Sequence, residues 1–319
     1  MAPLRRIWNY LPSSARRRPF GLAYGRVLYH LVCLKSDRKQ YFATFFLRNR
    51  PELELIRGLL DEKPHGSRLD FCILACSKGA EVYSMAWAIR SARPDLQLNI
   101  HAIDISAEIT EFAARGVYSL ASTDALPSTN ETAAKQRGEV GWNTSLDQNA
   151  WMFERITKAE MDAMFTVEDN QARIRPWLQQ GITWLAADAC DPTLRDRIGP
   201  QDIVVANRFL CHMPPPEARS CLRNIGRLLK PGGYLSVCGV DLDVRTAVAL
   251  EMGWAPVTHL IREVHEGDAS ITSGWPLEYW GLEPFDDRRP DWQIRYASVF
   301  QIANQPTGME SPHLEHSVP

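Results

Sequence analysis

Asp104 stands where a carboxylate can bind a ribose, directly after the apolar run 98–103. An earlier apolar run, residues 69–74, leads through a turn of small residues into a helical pattern. A strand, a tight turn, a helix and an acid at the tip of the next strand form one half of a nucleotide-binding α/β sheet. The turn, residues 75–79, lacks the G-x-G-x-x-G pattern, because Gly79 is its only glycine. This argues against a dinucleotide and favours a ligand without a pyrophosphate, such as S-adenosylmethionine (SAM).

Composition restricts the kind of protein that this chain can be. Its 319 residues are enough for one α/β domain of roughly 200–250 residues and a smaller appendage. A net charge of −2 and a pI near 6.5 give no general attraction to nucleic acid, so no such partner is predicted. Seven cysteines without a C-x-x-C pair are typical of reduced thiols in a cytoplasmic protein and predict no metal site. No uncharged apolar run reaches about 18 residues, so no membrane span is predicted.

The start of the chain is basic and free of acids. Residues 1–36 carry seven Arg or Lys and no Asp or Glu, and residues 1–66 are interpreted as a basic N-terminal helical region. Within this region Asn49 is predicted to cap a helix that begins near Pro51. The region is a basic arm packed on one side, a contact for an acidic partner or an anionic membrane surface, or a transit peptide.

Strand and helix patterns alternate over residues 67–304, which predicts an α/β domain with a mostly parallel sheet. Ligands bind such sheets at the carboxyl ends of the strands, where Asp104 and Asp188 fall. The polar segment 119–149 interrupts the pattern and is predicted to be an insertion, either a lid or a disordered loop. Residues 305–319 are predicted to be a disordered tail. The predicted strands are 69–74, 98–103, 173–178, 181–187, 202–206 and 234–239, with 257–264 and 296–302 as candidates for the last two.

Five sequence blocks resemble, in the right order, those of the CheR-type methyltransferases, SAM-dependent enzymes that methylate glutamate carboxylates on chemotaxis receptors. The resemblance covers about residues 40–245 and implies a class I SAM methyltransferase, a Rossmann-like fold with a seven-stranded sheet. The blocks are Thr44-Phe-Phe-Leu-Arg48 (family T-x-F-F-R), residues 75–84 (A-x-S-T-G-E-E-P-Y-S), Ile103-Asp-Ile-Ser106 with Ala114-Arg-Gly-Val-Tyr118, residues 174–188 at the family's hairpin and N-L turn, and residues 202–212 (D-x-I-x-C-R-N-V-x-I-Y).

The resemblance also implies the residues of a site. Asp104 is assigned to the ribose hydroxyls, Glu81 to the α-amino group of the cofactor, and Asp188 with Ala189 to the adenine. Arg48, Arg208 and His212 are implied as catalytic residues that face the methyl-transfer position. The full set of implied cofactor-binding residues is Thr44, Arg48, Ala75, Ser77, Gly79, Glu81, Asp104, Asp188, Ala189 and Asn207.

The chain departs from the family pattern at several of these positions. The family's Arg-Asn pair is Asn207-Arg208 here, and its tyrosine beside the methyl group is His212. Lys78 replaces the threonine of the turn and Ala80 replaces the first glutamate, which makes this part of the sequence more positive. A histidine near pKa 7 would help a hydroxyl or amine nucleophile, whereas a carboxylate needs no base.

Three kinds of function therefore stay open at the level of the sequence. The first is CheR-like O-methylation of a protein carboxylate, a glutamate on a chemoreceptor-like acceptor, with S-adenosyl-L-homocysteine as the product. The second is methylation of a small-molecule hydroxyl or amine. The third is a protein without turnover, either a module that binds SAM or S-adenosyl-L-homocysteine or an interaction protein with no ligand.

Overall fold

The computed structural model describes residues 2–16, 18–35, 44–120, 149–268 and 283–303. Strands and helices alternate through the sheet domain, as the hydrophobic pattern predicts. The strands are β1 (Arg68–Leu74), β2 (Gln97–Asp104), β3 (Val117–Ser119), β4 (Phe165–Glu168), β5 (Gln171–Ile174), β6 (Ile182–Ala186), β7 (Gln201–Val205), β8 (Leu229–Ser236), β9 (Ala255–Pro256) and β10 (Val299–Gln301).

Helices flank the strands and also make up the N-terminal part of the described chain. Short 3-10 turns lie at Ala150–Phe153 and Leu210–His212. The α-helices are α1 (Ala2–Tyr10), α2 (Ser13–Arg16), α3 (Pro19–Lys35), α4 (Arg50–Gly58), α5 (Ala80–Ala92), α6 (Ala107–Arg115), α7 (Lys158–Met164), α8 (Pro176–Gln179), α9 (Leu194–Ile198), α10 (Pro215–Gly226), α11 (Leu242–Glu251), α12 (Ile261–Glu266) and α13 (Trp292–Tyr296). None of the described helices is long and apolar enough to cross a membrane.

One seven-stranded sheet runs in the order β6-β2-β1-β7-β8-β10-β9. The strands from β6 to β8 are parallel to their neighbours, and β10 is antiparallel to both β8 and β9. In the registers of the central strand, Leu69 lies opposite Leu98 of β2 and Phe71 lies opposite Ile203 of β7. The predicted fold class is confirmed: an α/β, class I SAM methyltransferase-like, Rossmann-like fold with a mostly parallel seven-stranded sheet.

Two predicted strands are wrong. Residues 257–264 do not form a strand, because Leu260 adopts a left-handed φ of 54° and α12 begins at the next residue. The predicted strand 173–178 ends at Ile174, since Pro176 cannot donate to a ladder and instead starts α8. Strand β5 pairs with β3 and β4 in a separate three-stranded antiparallel sheet.

Two predicted segments cannot be compared with the structure, whereas the predicted N-cap of α4 can. Most of the polar insertion 119–149, namely residues 121–148, and the tail 305–319 lie outside the described residues. The cap of α4 is confirmed: the Asn49 side chain accepts from the Glu52 amide at 3.3 Å, and Pro51 occupies the first turn. Asn49 also donates to the carbonyl of Val264 at 2.9 Å, which ties α4 to α12.

An aromatic cluster joins the segment before α4 to the small antiparallel sheet. The Phe46 ring packs edge-on against Tyr118 and Phe165, with centroids 5.2 Å and 5.0 Å away, and lies 5.1 Å from Phe153. Phe46 is fully buried and belongs to the larger hydrophobic cluster of the core. Because Phe46 precedes Arg48 by two residues, this packing fixes where the Arg48 backbone lies.

We predict that Phe46→Ala lowers the free energy of unfolding by about 3–5 kcal/mol, because it leaves a cavity among packed rings. Phe20→Ala is the matched control, since Phe20 is 81% exposed and the same deletion should change stability by less than about 0.5 kcal/mol. Urea denaturation of both variants measures the difference. Equal effects of the two substitutions would show that the aromatic cluster is not a stabilising element.

Candidate functional site

A cavity of about 400 Å³ lies at the carboxyl edge of the large sheet. All of the residues that the sequence assigned to a site, except Gly79, line this cavity. They come from the segment before α4, the β1–α5 turn, the first turn of α5, the ends of β2 and β6, and the segment after β7. These residues are Thr44, Arg48, Ala75, Ser77, Glu81, Asp104, Asp188, Ala189, Asn207, Arg208 and His212.

Gly79 does not line the cavity, and its role is in the backbone conformation of the β1–α5 turn. It precedes the first residue of α5 with a left-handed φ of 84°. A Cβ at this position would lie 3.0 Å from the Ala113 Cβ and 3.1 Å from the Trp184 ring. The glycine is therefore required for the conformation and close packing of the turn, and not for a contact in the cavity.

Several non-glycine residues at the cavity also have left-handed backbones. Ala75 and Ser77 have φ values of 52° and 51°, and Arg208 has a φ of 64°. Leu47, next to Arg48, has a φ of 49°. Such conformations cost energy and cluster at functional sites, where the surrounding structure holds them. Their concentration at this cavity supports its assignment as the functional site.

Asp104 is held by backbone amides on both of its oxygens. Ser77 N donates to one oxygen at 2.9 Å, and Ser106 N donates to the other at 3.1 Å. Each oxygen keeps a lone pair, so the carboxylate can still accept from two hydroxyls. The N-cap of α6 is Ser106, whose hydroxyl accepts from Ile109 N, so Asp104 is not needed as the cap. Burial raises the pKa of Asp104 above its ordinary value.

Glu81 belongs to a buried polar network that the sequence did not reveal. Asn207 Nδ2 lies 2.8 Å from an oxygen of Glu81 and 2.8 Å from an oxygen of Glu52. The Ser236 hydroxyl donates to the same Glu52 oxygen at 2.6 Å, and Cys238 N donates to Asn207 Oδ1 at 2.9 Å. The Asn207 amide thus holds Glu81 in place. Sequence reasoning had placed Asn207 against the cofactor, and Asn207 also lines the cavity.

Burial and the neighbouring Glu52 raise the pKa of Glu81 to about 7. Two carboxylates that share one amide repel each other, so the pair holds a proton more tightly than an exposed acid does. A cationic ligand group beside Glu81 would offset this repulsion and ionise the acid. Glu81 is therefore suited to an ammonium group, and it is not the solvated first-turn acid that its position in α5 also allows.

Two guanidinium groups line the cavity beside these acids. Burial, followed by the positive charge of Arg208, lowers the pKa of Arg48 to about 10, so Arg48 remains a cation at neutral pH. Arg208 donates to Asp268, whose second oxygen lies 2.9 Å from Arg155 Nη1. Arg155 in turn donates to the carbonyl of Arg48 at 2.7 Å, and its guanidinium lies 4.4 Å from the Phe45 ring centroid.

Sequence reasoning missed Glu52 and Asp268, because neither stands in a block that resembles the family. Glu52 reads as an ordinary first-turn acid, and Asp268 is remote in sequence from the residues that it holds. Sequence reasoning also missed several residues that line the cavity. Most of them are apolar and lie close in sequence to a predicted residue: Cys76, Ile103, Ile105, Ala187, Cys190, Phe209, Met213, Pro214 and Glu217.

Lys78 does not add charge to the cavity, in contrast to what the sequence suggested. Its side chain is buried and absent from the cavity lining. The ammonium donates to Asn149 Oδ1 at 3.1 Å and lies 5.8 Å from the Trp151 ring centroid. Within the described ranges, no group of three or more His, Cys, Asp or Glu side chains converges in a way that could hold a metal ion.

Comparison with known families identifies two segments of the chain. The family model for the CheR methyltransferase SAM-binding domain matches residues 43–141, and a general methyltransferase-domain model matches residues 154–235. The first segment contains Thr44, Arg48, the β1–α5 turn and Asp104, and the second contains Asp188 and Asn207. The cofactor of this chain is therefore SAM, as the sequence predicts. No curated protein matches the chain.

Three of the solved structures that match the chain are methyltransferases with low sequence identity to it. Magnesium protoporphyrin IX methyltransferase (ChlM) from Synechocystis PCC 6803, with bound SAM, is 14% identical over 65% of this chain and 69% of its own, with a TM-score of 0.33. The N-methyltransferase NodS from Bradyrhizobium japonicum WM9 is 13% identical over 80% and 86%, with a TM-score of 0.32. DszA carbon methyltransferase is 15% identical over 58% of this chain but only 33% of its own, also with a TM-score of 0.32. These TM-scores are too low to indicate a substrate.

We predict that Asp104→Ala weakens SAM binding by roughly 100-fold, because two hydrogen bonds to a charged acceptor are lost. Glu108→Ala is the control, since Glu108 is an exposed acid in α6 and does not line the cavity. Isothermal titration with SAM measures both, and circular dichroism confirms that the variants are folded. A folded Asp104→Ala protein with unchanged affinity would remove Asp104 from the cofactor site.

The raised pKa of Glu81 predicts that SAM binding depends on pH. Between about pH 5.5 and 7 the cofactor's α-amino group stays charged while Glu81 ionises, so affinity should fall below pH 7 by up to about tenfold per unit. Glu81→Gln should bind SAM weakly and without this dependence. Titration calorimetry across the range tests this, and a pH-dependent Glu81→Gln protein would exclude Glu81 as the source.

Glu81 should make the stability of the cofactor-free protein fall as pH rises, whereas it makes SAM affinity rise. Its folded pKa of about 7 lies above the ordinary value of 4.5, so the folded state binds more protons between these values. Stability therefore falls as pH rises from 4.5 to 7, and Glu81→Gln flattens this slope. Thermal melts of the ligand-free proteins provide the measurement.

Proposed function

We propose that this SAM-dependent methyltransferase transfers its methyl group to a carboxylate oxygen of a glutamate in an acceptor protein. The observation that carries the proposal is that Arg48 and Arg208 line the same cavity as Asp104 and Glu81, close enough for Arg208 to lower the pKa of Arg48. A guanidinium can bind a carboxylate through two parallel hydrogen bonds. Two guanidinium groups can therefore serve two carboxylates, one on the cofactor and one on the acceptor.

The proposed division of roles follows from where each group lies. Asp104 would accept from the ribose hydroxyls and Asp188 would lie beside the adenine. Glu81 would pair with the α-amino group of the methionine moiety, and Arg48 with its carboxylate. Arg208, held by the buried Asp268, would then position the acceptor carboxylate.

A carboxylate acceptor fits the chemistry of these residues. When bound, SAM supplies a methyl group on a positively charged sulfur, and transfer breaks the S–C bond as the O–C bond forms. The nucleophile has no proton to lose, so the protein needs to supply alignment and no base. Arg208 would fix the direction of the carboxylate oxygen, and Asp268 would keep the guanidinium from turning toward the cofactor.

The CheR family match supports a protein as the acceptor. The matched segment, residues 43–141, includes the block that ends at Arg48. In that family the methylated group is a glutamate carboxylate of a chemotaxis receptor. We therefore propose a chemoreceptor-like protein with an exposed glutamate as the partner of this chain.

A second candidate function rests on His212, which lines the same cavity. An imidazole at this place can accept the proton of a hydroxyl or an amine during transfer. A small-molecule hydroxyl or amine is therefore the alternative acceptor. The two candidates differ in the stability of the product, because a carboxyl methyl ester is cleaved by base and a methyl ether or methylamine is not.

We predict that labelled SAM, incubated with glutamate-rich receptor fragments, gives a product that releases label as methanol in mild base. Hydroxylated and amine-bearing small molecules form the second panel of acceptors. Label found only in base-stable products would contradict the carboxylate proposal and favour the alternative that His212 supports.

Arg208→Gln should lower kcat/KM for the acceptor by roughly 100-fold through loss of charge-assisted hydrogen bonds, while the Kd for SAM stays unchanged. Arg155→Gln is the matched control, because Arg155 also pairs with Asp268 but does not line the cavity. An equal loss in both variants would mean that the ion-pair network, and not a contact between Arg208 and the acceptor, sets the rate.

A further inference from the structure

We propose that the N-terminal helices α1 and α3 dock this protein onto an anionic lipid surface. The proposal does not depend on the acceptor, since it concerns a surface formed by residues before the sheet domain. Its basis is the combination, on these helices, of exposed large apolar side chains with a charge that is entirely positive.

The exposed side of α3 is apolar over two turns. Phe20, Ala23 and Val27 are exposed and recur at helical spacing, while Gly25 and Leu28 on the other side are buried. Phe20 is 81% exposed, which leaves a whole aromatic ring in water. A helix with one buried face and one exposed apolar face has two hydrophobic sides, and the rest of the protein covers one of them.

Helix α1 shows the same feature. Its Trp8 is buried, and its Ile7 and Tyr10 are 53% and 86% exposed. In the described part of the chain, four of the seven exposed large hydrophobic side chains lie between residues 7 and 27. The other three are scattered, one each in the α6 turn, β4 and α11, and Ile105 among them lines the cavity. The concentration at the N-terminus is therefore a local property of these helices.

The charge of this region complements an anionic surface. Residues 1–36 carry seven Arg or Lys and no Asp or Glu, although the whole chain has a net charge of −2. Arg6, Arg18 and Arg26 are among the exposed residues. A negatively charged leaflet attracts such a segment, and each basic residue near it contributes about 1 kcal/mol, or about fivefold in binding.

Lipid fits these helices better than an acidic protein does. An acidic protein surface would pair the arginines but leave Phe20 and Tyr10 in water. The headgroup boundary of a bilayer accepts aromatic rings and basic groups together, with the apolar face buried about 5–10 Å deep. A bilayer surface therefore buries the aromatic rings and pairs the arginines at the same time.

The surface is attached firmly to the rest of the protein. The Tyr24 hydroxyl donates to the Leu4 carbonyl at 2.9 Å, which joins α1 to α3. Tyr29 donates to Asp241, and Arg26 lies 3.4 Å from Glu283. Asp241 precedes α11 at the carboxyl end of β8, the edge of the sheet at which the cavity lies. Docking through α1 and α3 would therefore hold the cavity edge beside the lipid.

Flotation of the full-length protein with phosphatidylcholine vesicles, with and without about one third phosphatidylserine, tests this proposal. We expect binding to the anionic vesicles only, with a decrease as salt is raised. The double variant Phe20→Ser and Val27→Ser should reduce the partition coefficient by at least about tenfold, because the buried apolar area is lost. The double variant Arg6→Gln and Arg18→Gln should reduce it by roughly 25-fold at low salt.

The matched control is the double variant Val167→Ser and Leu250→Ser, which removes apolar side chains that are 50% and 64% exposed elsewhere. It should partition like the wild type, and circular dichroism should show that all variants are folded. Failure to bind anionic vesicles, equal binding to neutral vesicles, or no effect of the Phe20 and Val27 changes would overturn the proposal. Binding to poly-glutamate without vesicle binding would overturn it in favour of an acidic protein partner.

Discussion

The Asn207 amide connects four elements of the fold at the floor of the cavity. Its nitrogen reaches Glu52 on α4 and Glu81 on α5, and its oxygen accepts from the backbone of Cys238 after β8. Asn207 itself follows β7, so one side chain fixes the relative positions of two helices and two strands. Buried acids without hydrogen bonds are costly, and this amide together with Ser236 removes most of that cost. The position of Glu81, and with it one wall of the cavity, depends on this arrangement.

Like charges lie close together at the cavity, although Arg48 and Arg208 are also near enough to Glu81 to oppose the rise in its pKa. Glu81 lies beside Glu52, whereas Arg48 lies near Arg208, and in each case burial and the neighbour shift the pKa toward the neutral form. Such pairs are stable only when rigid partners hold them, which Asn207 does for the acids and Asp268 does for Arg208. A ligand with a cation on one side and an anion on the other relieves both repulsions. SAM carries these groups, an ammonium and a sulfonium beside a carboxylate.

An ion-pair network joins the amino ends of the central strands, at the side of the sheet opposite the cavity. Lys230 lies 3.0 Å from Asp70 and 2.9 Å from Asp202, and Lys63 lies 2.6 Å from Asp202. These residues join the start of β1, β7 and β8, so the strands enter the sheet in a fixed register. Because the strands start together, their carboxyl ends and the loops that follow meet at one place. The left-handed residues Ala75, Ser77 and Arg208 can then be tolerated there.

The local sequence determined most of the fold and most of the predicted residues that line the cavity. Alternating apolar strands and amphipathic helices predict the sheet, and the turn that ends in Gly79, followed by Asp104, predicts a nucleoside ligand, because short-range spacing sets strand ends and turns. The tertiary structure decided that Lys78 points away from the cavity and that Glu52 and Asp268 belong to the network around it. It also decided that residues 257–264 turn into a helix. These outcomes depend on contacts between segments far apart in sequence, such as Asp268 with Arg208, and local spacing carries no information about which distant side chains a fold will bring together.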